Sequence, residues 1–145
     1  MAIKVSGTTV IDDSRNLTNV ADLTTTGNAV LGGNIEATSY KGKLQALGDI
    51  SGTVNIDLSL GDNITATVAG ALTINATGLK TGAVNTFTLI LTNPGAFPLT
   101  LLAGLLTWDK NLTPTLPTIG KAVFIFESYD NGLTWIGTQA WRNIA

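Results

Sequence analysis

The stretch from Lys121 to Gly137 constrains this chain more than any other. Its first half, Lys-Ala-Val-Phe-Ile-Phe-Glu-Ser, is a run of β-branched and aromatic residues that reaches Asp130-Asn131-Gly132 before Leu-Thr-Trp-Ile-Gly follows. Asparagine and glycine tolerate the positive φ that a tight reversal needs, so the stretch predicts a β-hairpin with its turn at those residues. Side chains alternate along a strand, which sends Phe124 and Phe126 to one face and Val123 and Ile125 to the other. A strand that is apolar on both faces is covered on both. Phe124 and Phe126 are expected in the chain's own core, and Val123 and Ile125 against a second layer or a neighbouring subunit.

The residues before the hairpin carry the same period-two signal. Val54, Ile56, Leu58 and Leu60 alternate with Asn55, Asp57 and Ser59 up to Gly61-Asp62-Asn63; Ile64 to Val68 and Leu72 to Ile74 follow around Gly70. Thr86 to Thr92 sets Phe87, Leu89 and Leu91 on one face and stops at Asn93-Pro94-Gly95, after which Phe97 to Leu102 is expected to return antiparallel. A proline-bearing, irregular segment runs from Thr107 to Pro117. Helical spacing appears only at Lys41 to Gly48, where Leu44 and Leu47 lie three apart and Gly48 could close one turn, which is read as a hinge. Short strands separated by turn residues predict an all-β body over residues 43–145, an antiparallel β-sandwich or jelly-roll-like fold.

Residues 1–42 read differently. Ile3 to Val5, Thr8 to Ile11, Leu17 to Val20, Ala29 to Leu31 and Ile35 to Thr38 are β-like beats with one to three apolar side chains each, too few for a core of their own. They predict an extended N-terminal attachment arm that gains stability by burying Ile3, Val5, Val10, Ile11, Val20 and Leu31 against something else.

Charge sharpens the expectation of partners. Only 12% of residues are charged, 44% are hydrophobic and the mean hydropathy is +0.31, where a soluble domain carries about 25% charged residues. So few charges cannot coat an ordinary monomer, and burial against other copies is expected. The net charge of −2 and the scattering of eight basic residues leave no basic stripe for nucleic acid. Without cysteine there is neither a disulfide framework nor thiolate chemistry. The opening residues alternate and lack the apolar core of a signal peptide, and Phe97 to Leu106 is far short of the ~20 residues of a bilayer span. A soluble product made in the cytosol, with no membrane partner, is expected.

Catalytic patterns are missing. The chain has no histidine, which removes the common general bases, Ser-His pairs and imidazole metal ligands. Asp12-Asp13, Asp57, Asp62 and Asp109 stand where strands give way to turns, the usual place of turn-capping acids. Asp130-Asn131-Gly132 lacks the further oxygen ligands and closing glutamate of a calcium loop, and no glycine-rich phosphate loop joins a strand to a helix. Trp108, Tyr129, Trp135 and Trp141 suit core or subunit-interface anchors, with a sugar-stacking surface as the functional alternative. No enzyme activity and no cofactor are expected.

Several of these stretches carry a resemblance. The opening Met-Ala-Ile-Lys-Val-Ser-Gly-Thr-Thr-Val-Ile-Asp-Asp-Ser-Arg-Asn-Leu-Thr-Asn-Val, the segment Gly27 to Tyr40, and the body motifs Asn-Ile-Asp-Leu-Ser-Leu-Gly, Asn-Thr-Phe-Thr-Leu-Ile-Leu-Thr-Asn and Phe-Glu-Ser-Tyr-Asp-Asn-Gly-Leu-Thr-Trp-Ile-Gly resemble virion structural proteins of tailed bacteriophages. The similarity is to tail-fibre and capsid decoration (cement) proteins, especially of phages infecting cyanobacteria. It implies a homotrimer on the virion exterior, made in the host cytoplasm, with the major capsid protein or other virion proteins as partners. Fibres usually carry a long shaft between arm and terminal module, and here the two adjoin, which suits a head-stabilising cement role. A short tail fibre or receptor-binding adhesin that recognises host glycans is the alternative the resemblance leaves open.

Overall fold

The computed structural model describes Ile3–Val5, Thr8–Ile11 and residues 42–144, with side chains from Gly42 to Arg142. The chain divides into two compact units, Met1–Ser39 and Tyr40–Ala145. In the first, β1 (Ile3–Val5) and β2 (Thr8–Ile11) pair antiparallel, with Val5 opposite Thr8 and Lys4 opposite Thr9. These are the first two beats of the alternation, and their backbones carry Ile3, Val5, Val10 and Ile11. The later beats, with Val20 and Leu31, fall outside the described residues.

The second unit is all-β, as its turn-punctuated alternation requires. Its strands are β3 (Leu44–Asp57), β4 (Asn63–Thr77), β5 (Asn85–Thr92), β6 (Leu99–Leu101), β7 (Leu106–Trp108), β8 (Lys121–Ser128) and β9 (Trp135–Ile144). They form one mixed sheet in the order β3-β4-β5-β8-β9-β7, with β6 on β4. The pairs β5–β8 and β8–β9 are antiparallel, whereas β3–β4, β4–β5, β4–β6 and β7–β9 are parallel.

The two longest strands bend part-way, and the bends explain the parallel pairing. β3 breaks register at Ala46/Gly48 and again at Ile50/Gly52, and Gly48 takes φ +69 with open space where a Cβ would stand, a conformation natural to glycine. The strand thus turns and continues around the core as one coil. The Gln45 side-chain amide donates to the carbonyls of Asp57 (2.9 Å) and Gly61, tying the start of the coil to its end. β4 repeats the course one level on, pairing along Asn63–Thr67 with β5 and along Leu72–Ile74 with β6.

Inside lies one core. Ile56, Ile64, Ile74, Leu89, Leu91, Phe124 and Phe126 are each at most 1% exposed, and burying such a side chain contributes about 1.5–3 kcal/mol. Phe87 is its centre: its ring lies 4.8 Å from Phe126 and 5.4 Å, edge-on, from Trp135.

Two local expectations are corrected. Leu44 to Gly48 is not a helical turn but the first stretch of β3; Gln45 and Leu47 are half-buried while Leu44 and Ala46 are exposed, so the period is two and the glycine serves the bend. Phe97 to Leu102 does not return antiparallel on β5. At the corner Asn93 holds the positive φ (55°); its backbone N–H donates to the Gly120 carbonyl (2.7 Å) and its side-chain oxygen accepts from the Gly120 N–H (3.1 Å). Held there, the chain continues around the coil, and β6 pairs parallel with β4.

Candidate functional site

The hairpin forms where the sequence places it. β8 and β9 pair antiparallel, and the reversal uses Asn131 (φ 59°) and Gly132 (φ 85°). Asp130 organises the turn: its carboxylate accepts from the Thr134 N–H (2.9 Å), the Thr134 hydroxyl (2.6 Å) and the Ser128 hydroxyl (2.9 Å). Bonding to the Thr134 hydroxyl, then to its backbone N–H, holds the Asp130 carboxyl below its ordinary value of 3.8, against the opposing effect of desolvation. Ser128, itself buried, accepts from the Gly132 N–H at 2.8 Å. Asn131 accepts from the Gly82 N–H at 3.2 Å, fastening the turn to the β4–β5 connection.

Register sorts the side chains of β8. Phe124 and Phe126 face the core. Lys121, Val123, Ile125 and Glu127 alternate with them and share the opposite, outer face. Across that face the row through Ile125 joins Thr138 of β9 to Thr88 of β5, and the row through Val123 joins Trp141 to Ile90. Thr65 and Ala46 continue the second row on β4 and β3. Ile125 is 40% exposed, Ile136 50% and Trp141 62%, while Val123, in the middle of the row, is only 6% exposed. The apolar residues thus form a patch, and the described charges of β8 stand at its two ends, Lys121 at one and Glu127 at the other. Tyr129 donates its hydroxyl to Glu127 (2.9 Å), and this bond to the carboxylate raises the phenol above its ordinary value of 10.0.

The four aromatic candidates do not form one surface. Trp135 is 2% exposed and belongs to the core. Trp108 is half-buried, its ring 6.0 Å from Phe124 and 5.9 Å from Phe126. Tyr129 is exposed beside the turn, and Trp141 stands on the outer face. Ile90, Ile136, Lys121 and Glu127 belong to that face too and were not singled out in the sequence, because only the pairing register across three strands brings them together.

Elsewhere the surface offers shallow features. An apolar cavity of about 100 Å³ opens between Trp108, Leu106, Pro114 and Leu116. A groove of about 450 Å³ runs along Thr115 to Ile119 beside Arg142. Two of the turn acids serve local geometry: Asp57 accepts from the Ser59 N–H at 2.9 Å and Asp62 from the Asn63 side-chain amide at 2.6 Å; Asp12-Asp13 lie outside the described residues. Among the described residues no group of three or more histidine, cysteine, aspartate or glutamate side chains could hold a metal ion, and no helix is long and apolar enough to cross a membrane.

Compared with protein-family models, with curated protein sequences and with solved structures, the chain gives no match.

Proposed function

We propose that this chain is a non-enzymatic structural protein of a tailed-phage particle, carried on the virion exterior as a head decoration protein that stabilises the shell. The observation that carries the reading is the outer face of the sheet, where exposed Ile125, Ile136 and Trp141 gather beside the nearly buried Val123, among threonines and between Lys121 and Glu127 at the ends of β8. A surface of that kind suits contact with other protein subunits. The strand pair β1–β2 belongs to a separate unit, in keeping with an attachment arm that engages the major capsid protein. Stabilisation follows from mass action: a protein that binds the assembled shell and not its dispersed subunits strengthens the shell in proportion to occupancy. The phage resemblance implies a homotrimer, whereas the order of charged and apolar residues along β8 favours two-fold pairing of copies.

Deleting residues 1–20 tests the division of labour: the body should stay folded by circular dichroism and lose its attachment to particles, and retained attachment would sink the proposal. Quantitative mass spectrometry of purified particles tests the location, with hundreds of copies expected for a head protein. The groove beside Arg142, bordered by exposed Ile119, favours a second reading as a short tail fibre or adhesin. That reading expects a few copies per particle and binding of the purified protein on a glycan array.

A further inference from the structure

The geometry points to the outer face of the sheet as a self-complementary surface that pairs with the same face of a second copy of this chain, β8 lying antiparallel over β8 about a two-fold axis. The inference rests on the reading of the chain as a self-associating subunit and adds where and how two copies meet. Lys121, Val123, Ile125 and Glu127 share one face of β8, charges outside and apolar residues inside. A two-fold axis in the plane of contact, perpendicular to the strand, reverses the strand direction. Lys121 of each copy then stands over Glu127 of the other, and Val123 over Ile125. On the flanking strands Trp141 comes to face Thr138, and Ile90 comes to face Thr88. Such a contact is isologous, each residue meeting its counterpart twice, and it joins opposite charges at both ends of an apolar centre. A threefold axis running along β8 does the reverse: it gathers three Lys121 at one level and three Glu127 at another, like charges together.

The area is sufficient. Five strands, β9 to β3, at about 4.8 Å spacing and seven residues at about 3.3 Å give roughly 500 Å² in plan, and two copies roughly 1,000 Å², the lower limit for a specific interface. The stacking itself is that of two aligned sheets with interdigitating side chains, about 10 Å apart.

Sedimentation equilibrium of the full chain tests this, with particle attachment assayed separately. The expected species is a dimer, twice the 15.0 kDa chain. Ile125→Lys is expected to disperse it, leaving the melting temperature of the monomer nearly unchanged because Ile125 is exposed. Lys121→Glu and Glu127→Lys should each weaken association about tenfold or more, and the double substitution should restore it, because each copy then carries the exchanged pair. A monomer, a trimer, single charge reversals without effect, or a double variant no better than the singles would each overturn the proposal. A dimer absent from particles sinks the virion reading alone, and an attached monomer sinks this pairing alone.

Discussion

Gly95 and Gly48 are glycines for different physical reasons. A Cβ on Gly95 would sit 2.5 Å from the Leu116 carbonyl oxygen and 2.9 Å from its carbon, backbone atoms that cannot rotate away. The Gly95 N–H also donates to the Pro117 carbonyl at 2.8 Å, so the corner and the segment at Leu116 are held together. Gly48 has open space but a φ of +69. Gly48→Ala is therefore expected to cost about 1–2 kcal/mol through backbone strain alone. Gly95→Ala should cost clearly more, since the corner must separate from Leu116. Urea unfolding of the two variants checks the order, and equal losses would contradict it. Asn85 shows what composition conceals: this buried side chain accepts from the Lys80 N–H (2.8 Å) and donates to the carbonyls of Lys80 (3.0 Å) and Ala83 (3.2 Å). In the sequence it is one polar residue at a strand start; in the fold it satisfies three backbone groups of the β4–β5 connection.

At the scale of elements the hairpin carries a pH-dependent contribution. The Asp130 carboxyl is held below 3.8 in the folded protein by its bonds to Thr134. A group with a lowered folded value contributes stability fully above its unfolded value and loses it as pH falls through the folded one. Thr134→Ala removes the hydroxyl bond, so the difference in melting temperature between parent and variant should be widest above pH 5 and narrow below 3.8. A difference that stays constant into strong acid would contradict the assignment. The hairpin was legible in the sequence because Asn131-Gly132 and the inward Phe124 and Phe126 are local signals. Parallel pairing was not legible: β4 and β5 show the same alternation of inward and outward residues whichever way they run, so period two fixes faces and not neighbours. Leu44 to Gly48 was misread because two leucines three apart before a glycine mimic a helix end, whereas the glycine there marks a bend in a strand. Of the outer face, Val123, Ile125 and Trp141 were visible from β8 and β9 alone; Ile90 needed the β5 register.

Over the whole body, half of the strand pairings join strands that are not consecutive in the chain, and even the parallel pairs of consecutive strands join distant residues, Leu44 with Asn63 and Asn63 with Thr88. Asn85 meets Ser128, Leu72 meets Leu99, and Leu106 meets Trp135. Among the described pairings of the second unit, only β8–β9 is closed by a tight local turn. A chain dominated by such distant contacts loses much loop entropy before any contact repays it, so refolding from urea is expected on the millisecond-to-second scale, as all-β domains show. Stopped-flow fluorescence of Trp135, which moves from water into the core, would follow it, and complete recovery within microseconds would contradict the expectation. Synthesis from the N-terminus adds a second consequence of the same topology. β3, β4 and β5 can pair as they emerge, but the free edge of β5 gains β8 as a neighbour only later, and β7 has no partner until β9 has been made. The body must therefore wait, partly built and with Phe87 uncovered, for its own hairpin to arrive as the closing piece.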